Sequence, residues 1–445
     1  MHLTHTDALH FDQPALSYWE ATANPLGLAL VPLHAELSCD VAIIGGGFTG
    51  LSAAIELAQS GVEVCLLEAG HIGWGASGRN GGFACHGSYT LPLKKMTRTY
   101  GLDATKHYYK AMLASIDRVA ENCADFDIDA ARCGQGEVRL AHLPNRMDEF
   151  REEQTYLREN FGDETSLLTK DQLRENGLEG PHFHGALTTQ YGFGIHPLNY
   201  VRGLARAAHK KGARLHPHSR ITRWEQRDGK HHLYTEQGQL TAKRVIVATN
   251  GYTPEDVTPQ ISGRILPAMS SIIVTRPLTE NEKVEQGWTS STIAHDNRNL
   301  VHYFRLLPDN RFLFGGRGGT NSSDDTLPGI RQKLTTTFQK LFPAWHNAEI
   351  THFWRGFVCL AYDGVPYVGA LDDNKTVWTA IAYHGNGVAM ASWSGRALAR
   401  MMLGKASTKE IPTVLTRRLA KFPLPMFRPL YLKGAYVWFG WQDSR

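Results

Sequence analysis

The sequence predicts an α/β fold that opens with two parallel strands joined by a helix. An apolar run at residues 41–44 is typical of a strand that is buried on both faces. Apolar residues then recur at helical spacing over residues 49–59, and Gly61 suits the left-handed residue that ends a helix. A second apolar run, residues 62–67, ends in the acid Glu68. This order of elements predicts a Rossmann-like βαβ unit.

The turn between the first strand and the helix carries the glycines of a nucleotide-binding turn. Gly45, Gly47 and Gly50 form the pattern G-x-G-x-x-G. These glycines allow a tight bend, close approach of a pyrophosphate and tight packing of helix on strand, while the helix N-terminus offers unpaired N–H groups to phosphates. Glu68 stands where a carboxylate accepts hydrogen bonds from a ribose hydroxyl. The unit is therefore expected to bind a dinucleotide.

A glycine-rich loop with a single cation follows the acid closely. It covers residues 75–83 and reads GASGRNGGF. Such a loop lets the backbone approach a flat ring and places Arg79 near a phosphate or near the polar edge of the ring. Taken alone, the same loop fits a flexible turn equally well.

Composition limits the classes of function. The chain has 445 residues, of which 42% are hydrophobic and 20% charged, with a formal net charge of +4, which is typical of a globular protein large enough for two domains. No basic arm or interleaved stacking aromatics indicate a nucleic-acid partner. The six cysteines include no CxxC pair, and no signal peptide or apolar run of about 18 residues is present. We therefore expect reduced thiols, no membrane span and a cytoplasmic location.

Two further patterns are not expected to form sites. Residues 315–319 are rich in glycine, but no helical pattern or acid-terminated strand follows, so a second dinucleotide site is not expected. His216 and His218 alternate as on one strand face, with His231 and His232 nearby. Because no carboxylate or cysteine stands at ligand spacing, no metal site is expected.

Taken together, these segments resemble the D-amino-acid oxidase superfamily, which includes glycine oxidase and sarcosine oxidase. The chain is especially similar to the bacterial gamma-glutamylputrescine oxidoreductases. The similarity is carried by the segment SYWEA at residues 17–21, the GASGRNGG loop and the segment YHGNGV at residues 383–388. It covers nearly the whole chain. The resemblance implies FAD as the cofactor and oxidation of an amine by hydride transfer from the carbon next to nitrogen to flavin N5.

The resemblance also implies which residues contact FAD. Ile221 is expected to meet the adenine through its backbone, the segment at residues 244–251 to lie beside FAD, and the helix after Gly385 to stabilise negative charge on the flavin. The implied cofactor contacts are Gly45, Gly47, Phe48, Thr49, Gly50, Glu68, Ala69, Ala76, Ser77, Arg79, Asn80, Gly81, Gly82, Ile221, Ala248, Thr249, Gly385, Asn386, Gly387 and Val388.

Two domains are expected, each assembled from separate parts of the chain. The FAD-binding domain is assigned residues 38–90, 186–262 and 350–405, and the substrate domain residues 91–185 and 263–349, built on an antiparallel-rich sheet. Residues 406–445 are expected to form a C-terminal tail packed on the body. Helices are predicted at residues 104–123, 145–160, 197–210 and 330–342, and a hairpin turn at residues 308–310.

The substrate pocket is expected to contain mostly packing residues, because the flavin supplies the chemistry and a neutral amine needs no protein base. Arg305 and His384 are the candidate catalytic residues. Phe83, Tyr303, Trp354 and Tyr383 are the further candidates for the pocket wall. The partners implied are a small-molecule amine and an electron acceptor, O2 or another.

Two departures from sarcosine oxidase shape the expectations about substrate and cofactor. The lysine that holds the substrate carboxylate there is replaced by Ala389. Relatives with covalent FAD carry a cysteine about seven residues before an acid. Here Cys359 lies four residues before Asp363, and the matching position is closer to Gly356, so non-covalent FAD is expected.

Three readings of function stay open. The first is an oxidase of a gamma-glutamyl polyamine or a similar N-substituted or omega-amino compound. The second is an oxidase or dehydrogenase of small N-methyl or D-amino acids that passes electrons to another acceptor. The third is a flavin-binding subunit without catalytic activity.

Overall fold

Two large β-sheets with helices packed against them form the body of the protein. The computed structural model describes residues 4–86, 91–406 and 410–445. Its strands are β1 (Glu36–Ile44), β2 (Val64–Leu67), β3 (Phe83–Ala84), β4 (Glu137–Leu140), β5 (Ser166–Thr169), β6 (Gly185–Thr189), β7 (Phe193–Gly194), β8 (Arg214–His216), β9 (Arg223–Arg227), β10 (Lys230–Tyr234), β11 (Gln239–Val247), β12 (Ile265–Thr275), β13 (Ile293–Asp296), β14 (Tyr303–Leu306), β15 (Phe312–Arg317), β16 (Ile350–Ala361), β17 (Tyr367–Ala370) and β18 (Val377–Ile381).

The α-helices connect and cover these strands. They are α1 (Tyr18–Thr22), α2 (Phe48–Ala58), α3 (Leu93–Tyr100), α4 (Leu102–Asp125), α5 (Arg146–Phe161), α6 (Lys170–Glu175), α7 (Pro197–Lys210), α8 (Glu280–Gln286), α9 (Leu327–Leu341), α10 (Gly387–Met402), α11 (Thr413–Thr416) and α12 (Arg428–Gln442). No helix in the described part of the chain is long and apolar enough to cross a membrane.

The first sheet has the order β17-β18-β11-β1-β2-β8. In addition, β10 pairs with β11, and β9 pairs with β10. The pairs from β18 through β11, β1 and β2 to β8 are parallel. Parallel strands need a crossover, and α2 supplies the one between β1 and β2. The core on this side of the molecule is formed by buried residues of α2, α7 and α10, among them Leu51, Leu204 and Leu398.

The second sheet has the order β16-β12-β15-β14-β13-β4-β6-β5. Its neighbours are antiparallel except for the parallel pair β13 and β4. One face packs against α9 through an aromatic cluster that includes Phe304, Phe312, Phe314 and Phe338. The opposite face is directed toward the first sheet. It carries Ile272 and Leu313, which belong to the same hydrophobic core as the buried residues of α2, α7 and α10.

The α/β fold class predicted from the sequence is confirmed, and several elements agree closely with their predicted limits. The helix predicted at residues 197–210 is observed as α7 with those bounds. Gly61 has the left-handed φ of 79° expected at the end of α2. The predicted hairpin joins β14 and β15 as an antiparallel pair, and Asn310 in its turn has a φ of 62°.

The division of the chain into two domains stays a proposal, and sheet membership favours moving two of its boundaries. We assigned residues 350–361 to the FAD-binding domain, but this segment is β16 and pairs with β12 in the second sheet. The segment that was expected to start at residue 186 begins within β6, which pairs with β4 and β5 in the second sheet. A hydrogen-bonded strand moves with its sheet, so both strands fit the substrate domain better.

The C-terminal helix α12 packs on the body with one face only. Leu432 and Tyr436 contact Leu266 and Ala268 of β12. The buried Arg428 donates hydrogen bonds to both carboxylate oxygens of Glu255, at 2.6 and 2.8 Å. The opposite face of the helix is exposed at Leu430, Tyr431, Val437, Trp438 and Trp441.

Helix packing yields a prediction about Gly395 of α10. A Cβ at Gly395 would stand 2.2 Å from the backbone oxygen of Thr49 on α2, so α10 and α2 would have to separate. Gly395→Ala is expected to lower the free energy of unfolding by about 1–3 kcal/mol. The matched control is Gly434→Ala in α12, where nothing lies within 4 Å of the added Cβ.

In the control, alanine in a helix interior is expected to raise the free energy of unfolding by about 0.5–1 kcal/mol. Denaturant unfolding followed by far-UV circular dichroism measures both values. Equal effects of the two substitutions would contradict the close approach of α10 to α2.

Candidate active site

A cavity of about 670 Å³ opens at the carboxyl ends of β1, β2 and β11. This volume lies within the range of about 300–1,000 Å³ that is usual for small-molecule and cofactor sites. Ligands of open α/β sheets bind at this edge. The expected FAD contacts that line the cavity are Gly45, Gly47, Phe48, Thr49, Glu68, Ala69, Ala76, Ser77, Asn80, Ile221, Ala248, Thr249, Gly385, Gly387 and Val388. We call it the cofactor cavity.

The turn between β1 and α2 has backbone approaches that only glycine permits. Gly45 has a φ of 112°, and a Cβ there would stand 2.7 Å from the backbone oxygen of Ala248. A Cβ at Gly50 would stand 2.0 Å from the backbone oxygen of Gly45. Gly50 therefore lets α2 pack on the turn, and it does not itself line the cavity. The result is a helix N-terminus that points into the cavity, where its N–H groups attract phosphate.

Glu68 lies buried at the end of β2 and lines the cofactor cavity. Its two carboxylate oxygens accept hydrogen bonds from the backbone N–H groups of Gly46, at 2.6 Å, and Gly70, at 3.0 Å. Burial raises the pKa of this carboxyl, and the two N–H groups act in the opposite direction. Each oxygen keeps a free lone pair, so the carboxylate can still accept hydrogen bonds from a ribose.

The glycine-rich loop is held in place by its own polar side chains. The Asn80 amide donates hydrogen bonds to the backbone oxygens of Ala76 and Ser77 and accepts one from the N–H of Gly82. The guanidinium of Arg79 stacks 4.0 Å from the ring centroid of Trp74, and burial lowers its pKa. Arg79 does not line the cofactor cavity. It faces a second cavity on the other side of the loop.

The turn before α10 has a strained backbone and carries unpartnered polar atoms. Ala382 and His384 are in the left-handed region, at φ 65° and 55°. Nε2 of His384 accepts a hydrogen bond from the N–H of Ala361 at 3.3 Å, so the neutral ring carries its proton on Nδ1. That Nδ1 is buried and has no partner among the described residues, as is true of Oδ1 of Asn386.

Burial is the main cause that lowers the pKa of His384 to about 4. The ring is therefore neutral at physiological pH, and its Nδ1–H group is a hydrogen-bond donor at the edge of both cavities. Buried polar groups without partners are costly, so these atoms fit a bound molecule with polar edges. The cofactor cavity, the helix N-terminus, the acid and these atoms together fit FAD.

A second cavity, of about 150 Å³, adjoins the cofactor cavity between the glycine-rich loop, the turn before α10 and the second sheet. We call it the substrate cavity. Seven residues line both cavities: Ala76, Asn80, Phe357, Val358, His384, Gly385 and Val388. The expected residues that line the substrate cavity alone are Arg79, Gly81, Phe83, Tyr303 and Asn386.

One wall of the substrate cavity is a face of the second sheet with a row of polar side chains. The register pairs His295 with Tyr303, Tyr303 with Gly315, and Ile293 with Glu137. Directly paired residues, and residues two apart along a strand, share a face. Glu137, His295, Tyr303 and Arg317 therefore lie on one face, and all four line the cavity. We call these four residues the polar row.

The ends of the polar row differ in charge. At one end, Oε1 of Glu137 lies 3.1 Å from Nε2 of His295, and both side chains are buried. In the middle, burial raises the pKa of Tyr303 to about 12, and the hydroxyl lies 2.8 Å from Oγ of Ser270. Arg317 at the other end is half-buried. The strand order places three inter-strand steps, about 14 Å, between β4 and β15.

Sequence reasoning missed Arg317, Glu137 and His295. A signal for Arg317 was present, since the arginine stands alone between two pairs of glycines. Gly315 is required there because a Cβ would stand 2.2 Å from the ring of Tyr303, which lies across it. No local signal identifies Glu137 or His295, because strand pairing across distant parts of the chain brings them together.

The assignment of Arg305 as a catalytic residue needs correction. Arg305 is buried and does not line the substrate cavity. Its guanidinium donates a 2.6 Å hydrogen bond to the backbone oxygen of Ile195 and one of 3.3 Å to Sγ of Cys133. Gly82 covers it, since a Cβ there would stand 2.6 Å from Nη2 of Arg305. Arg305 thus supports the loop indirectly, because the N–H of Ile195 donates a 2.8 Å hydrogen bond to the backbone oxygen of Gly82.

Two candidates for the pocket wall also lie elsewhere. Trp354 is buried behind the loop, where its indole N–H donates a 2.8 Å hydrogen bond to the backbone oxygen of Arg79. Tyr383 lines the cofactor cavity, and its hydroxyl lies 2.8 Å from Oγ1 of Thr49. Both residues support the site and do not face the substrate cavity.

Cys359 lines the cofactor cavity as a buried thiol on β16. Burial raises its pKa well above the usual value of a thiol. The thiolate is the nucleophilic form of cysteine, so this side chain is poorly suited to attach a cofactor covalently.

The histidines considered for a metal are not arranged as the sequence suggested. His216 ends β8, and His218 has a φ of 49° outside the strand, so the two side chains do not alternate along one strand face. Within residues 4–86, 91–406 and 410–445, no group of three or more His, Cys, Asp or Glu side chains could hold a metal ion.

Comparison with known proteins gives a consistent result. Residues 40–401 match the model of the DAO family, described as FAD dependent oxidoreductase. The chain is 32% identical to gamma-glutamylputrescine oxidoreductase of Escherichia coli over 393 residues, which cover 88% of this chain and 89% of that protein. It is 29% identical to the probable oxidoreductase OrdL of Rhizobium meliloti, covering 97% of this chain and 98% of that one.

Solved structures share the fold at lower sequence identity. The glycine oxidase of Geobacillus kaustophilus superposes with a TM-score of 0.69 at 22% identity, covering 86% of this chain and 100% of that one. The L-proline dehydrogenase of P. horikoshii gives the same TM-score at 19% identity, covering 84% of this chain and 95% of that one.

The geometry of the turn predicts that Gly47 is required for FAD retention. A Cβ at Gly47 would stand 2.7 Å from Oγ of Ser77, which accepts a hydrogen bond from the N–H of Phe48, and it would occupy the helix N-terminus. Gly47→Val is expected to abolish retention of FAD through purification, as measured by flavin absorbance relative to protein.

The matched control is Gly329→Val, an exposed helical glycine with nothing within 4 Å of an added Cβ. This variant should keep its full flavin content. Normal flavin content in Gly47→Val would show that the phosphates bind elsewhere.

Proposed function

The chain belongs to the DAO family of FAD-dependent oxidoreductases, and on that premise we propose that it oxidises a gamma-glutamyl polyamine or a similar N-substituted or omega-amino compound. Its established class is that of an FAD-dependent oxidoreductase acting on amines or amino acids. The observation that supports the finer proposal is the polar row, whose end residues lie on strands about 14 Å apart across the sheet and are further offset by four residues along the strands. Glycine or sarcosine is too short to contact both ends.

The reaction proposed is a two-electron oxidation of a carbon–nitrogen bond. When bound, FAD would serve as the oxidant: it would accept a hydride from the carbon next to nitrogen and pass two electrons to O2 or another acceptor. The substrate becomes an iminium, which water hydrolyses to a carbonyl compound, an amine and a proton. With O2 as the acceptor, two electrons and two protons give hydrogen peroxide.

The chain's own residues position the amine and limit access of water. Phe83 and Tyr303 pack edge to face at 5.7 Å and give the substrate cavity an apolar wall. His384 stays neutral and offers the Nδ1–H group as a hydrogen-bond donor at the border of the two cavities. A substrate that binds as the free amine needs no protein base, because its own lone pair drives the hydride out.

The cofactor contacts follow from the cofactor cavity. We propose that α2 and Gly45 hold the pyrophosphate, Glu68 the ribose, the backbone near Ile221 the adenine, and the turn at residues 385–387 the flavin edge. Non-covalent binding of FAD and a cytoplasmic location stay parts of this proposal. The burial of Cys359 supports the former.

Substrate length tests the proposed function. A small amino acid must have its carboxylate bound by a nearby cation, and Ala389, which occupies the position after the glycine turn, is fully buried and offers none. A charge-assisted hydrogen bond of that kind contributes about 1.5–3 kcal/mol. The kcat/KM for gamma-glutamylputrescine should therefore exceed that for sarcosine and glycine by at least roughly tenfold. A higher kcat/KM for sarcosine would favour the reading as an oxidase of small N-methyl amino acids.

The pH dependence of turnover should follow the substrate. The ammonium form has no lone pair to expel hydride, so kcat/KM should rise with pH through the pKa of the substrate amine. His384, with its pKa lowered to about 4, is neutral throughout this range and adds no limb of its own. Profiles for two amines of different basicity provide the measurement. A limb that stays at one pH for both amines would assign it to an enzyme group.

A further inference from the structure

Arg317 is a cation in the wall of the substrate cavity that has no partner among the residues the structure describes. It ends β15, is half-buried and faces the cavity. Across the described ranges, no carboxylate lies within salt-bridge distance of its guanidinium and no acceptor forms a hydrogen bond with it. A partly buried guanidinium usually pairs with a carboxylate or a phosphate. The fold therefore leaves this cation available for an anion that enters the cavity.

The charge of Arg317 acts on the groups around the border of the two cavities. Burial raises the pKa of Tyr303 and lowers that of His384. The positive charge of Arg317 lowers both pKa values, because it favours the phenolate of Tyr303 and the neutral ring of His384. The same charge acts on the half-buried Tyr436 of α12, whose pKa is raised by burial and lowered by Arg317. Arg317 thus stands between the interior of the substrate cavity and the C-terminal helix.

The anion expected at Arg317 is not a phosphate of the cofactor. The helix N-terminus and the glycine turn that suit a pyrophosphate line the cofactor cavity, and Arg317 does not. It lines only the substrate cavity, at the end of the polar row opposite Glu137. A carboxylate matches the planar fork of a guanidinium and can accept two parallel hydrogen bonds from it.

We propose that Arg317 binds the carboxylate of the substrate and thereby selects amines that carry a carboxylate at a distance from the reacting nitrogen. The inference rests on the proposed function and names the group that recognises its substrate class. Glu137 and His295 at the far end give the cavity a polarity, with the anionic end of the substrate at Arg317 and the amine end toward Glu137. Two other cations of this sheet face already have partners: Arg305 donates hydrogen bonds to Ile195 and Cys133, and Arg139 pairs with Glu153.

Binding of a matched pair of unreactive ligands tests this role without turnover. N-butylglutaramic acid carries a carboxylate and an amide but no amine, and N-butylbutanamide lacks only that carboxylate. Each is titrated anaerobically into the oxidised holoenzyme, and the perturbation of flavin absorbance gives Kd. The variants are Arg317→Gln and Arg317→Lys, with Arg98→Gln, an exposed arginine of α3 outside both cavities, as the matched control.

The wild-type protein and Arg98→Gln should bind the carboxylate-bearing ligand roughly tenfold to a hundredfold more tightly than its partner. Arg317→Gln should bind both ligands equally, with the affinity for the ligand without a carboxylate unchanged. Arg317→Lys should keep part of the preference, because an ammonium retains the charge and loses the planar fork. All variants should retain full FAD content.

Several results would overturn the proposal. They are no preference in the wild-type protein, a preference that survives in Arg317→Gln, an equal loss of affinity for both ligands, and loss of FAD from Arg317→Gln. The last would assign Arg317 to the cofactor. Failure of the proposed function would look different: no amine would reduce the flavin, or sarcosine would have the higher kcat/KM, whatever the two Kd values are.

Discussion

Close backbone contacts at three glycines hold the cofactor end of the molecule together. Added Cβ atoms would stand 2.7 Å from the oxygen of Ala248 at Gly45, 2.0 Å from the oxygen of Gly45 at Gly50, and 2.2 Å from the oxygen of Thr49 at Gly395. These contacts join β1, β11, α2 and α10. Because the neighbouring atoms belong to the backbone, a rearrangement of side chains cannot make room for an added Cβ. They fix the position of the N-terminus of α2 at the cofactor cavity. They also fix the position of α10, whose N-terminus forms the far edge of that cavity.

The second sheet completes the site by facing this region across the glycine-rich loop. The loop is held from behind by Arg305 and Trp354, which bond to backbone oxygens of Ile195 and Arg79. With these two side chains behind the loop, the substrate cavity is lined by Tyr303 and the two charged ends of the polar row. The chemistry belongs to the cofactor, so the chain's contribution is position, polarity and exclusion of water.

The sequence was most informative where function depends on a local pattern. The G-x-G-x-x-G turn, Glu68 and the bounds of α7 follow from spacing alone, because a short segment determines them. Prediction from the sequence failed where tertiary packing determines whether a side chain faces the cavity. Arg305 and Arg317 both lie on one face of the second sheet, and only the position of Gly82 and the loop determines that Arg305 is covered and Arg317 is open. Glu137 and His295 meet through pairing of β4 with β13, strands more than a hundred residues apart.

Anaerobic reduction of the bound flavin tests the account most directly. The purified holoenzyme is mixed without O2 with a panel of amines that includes gamma-glutamylputrescine, sarcosine and glycine, and flavin absorbance is recorded over a single turnover. The account predicts that the absorbance bleaches with gamma-glutamylputrescine and more slowly, if at all, with the two short amino acids. If no amine bleaches the flavin, the protein is a flavin-binding subunit and the account is contradicted.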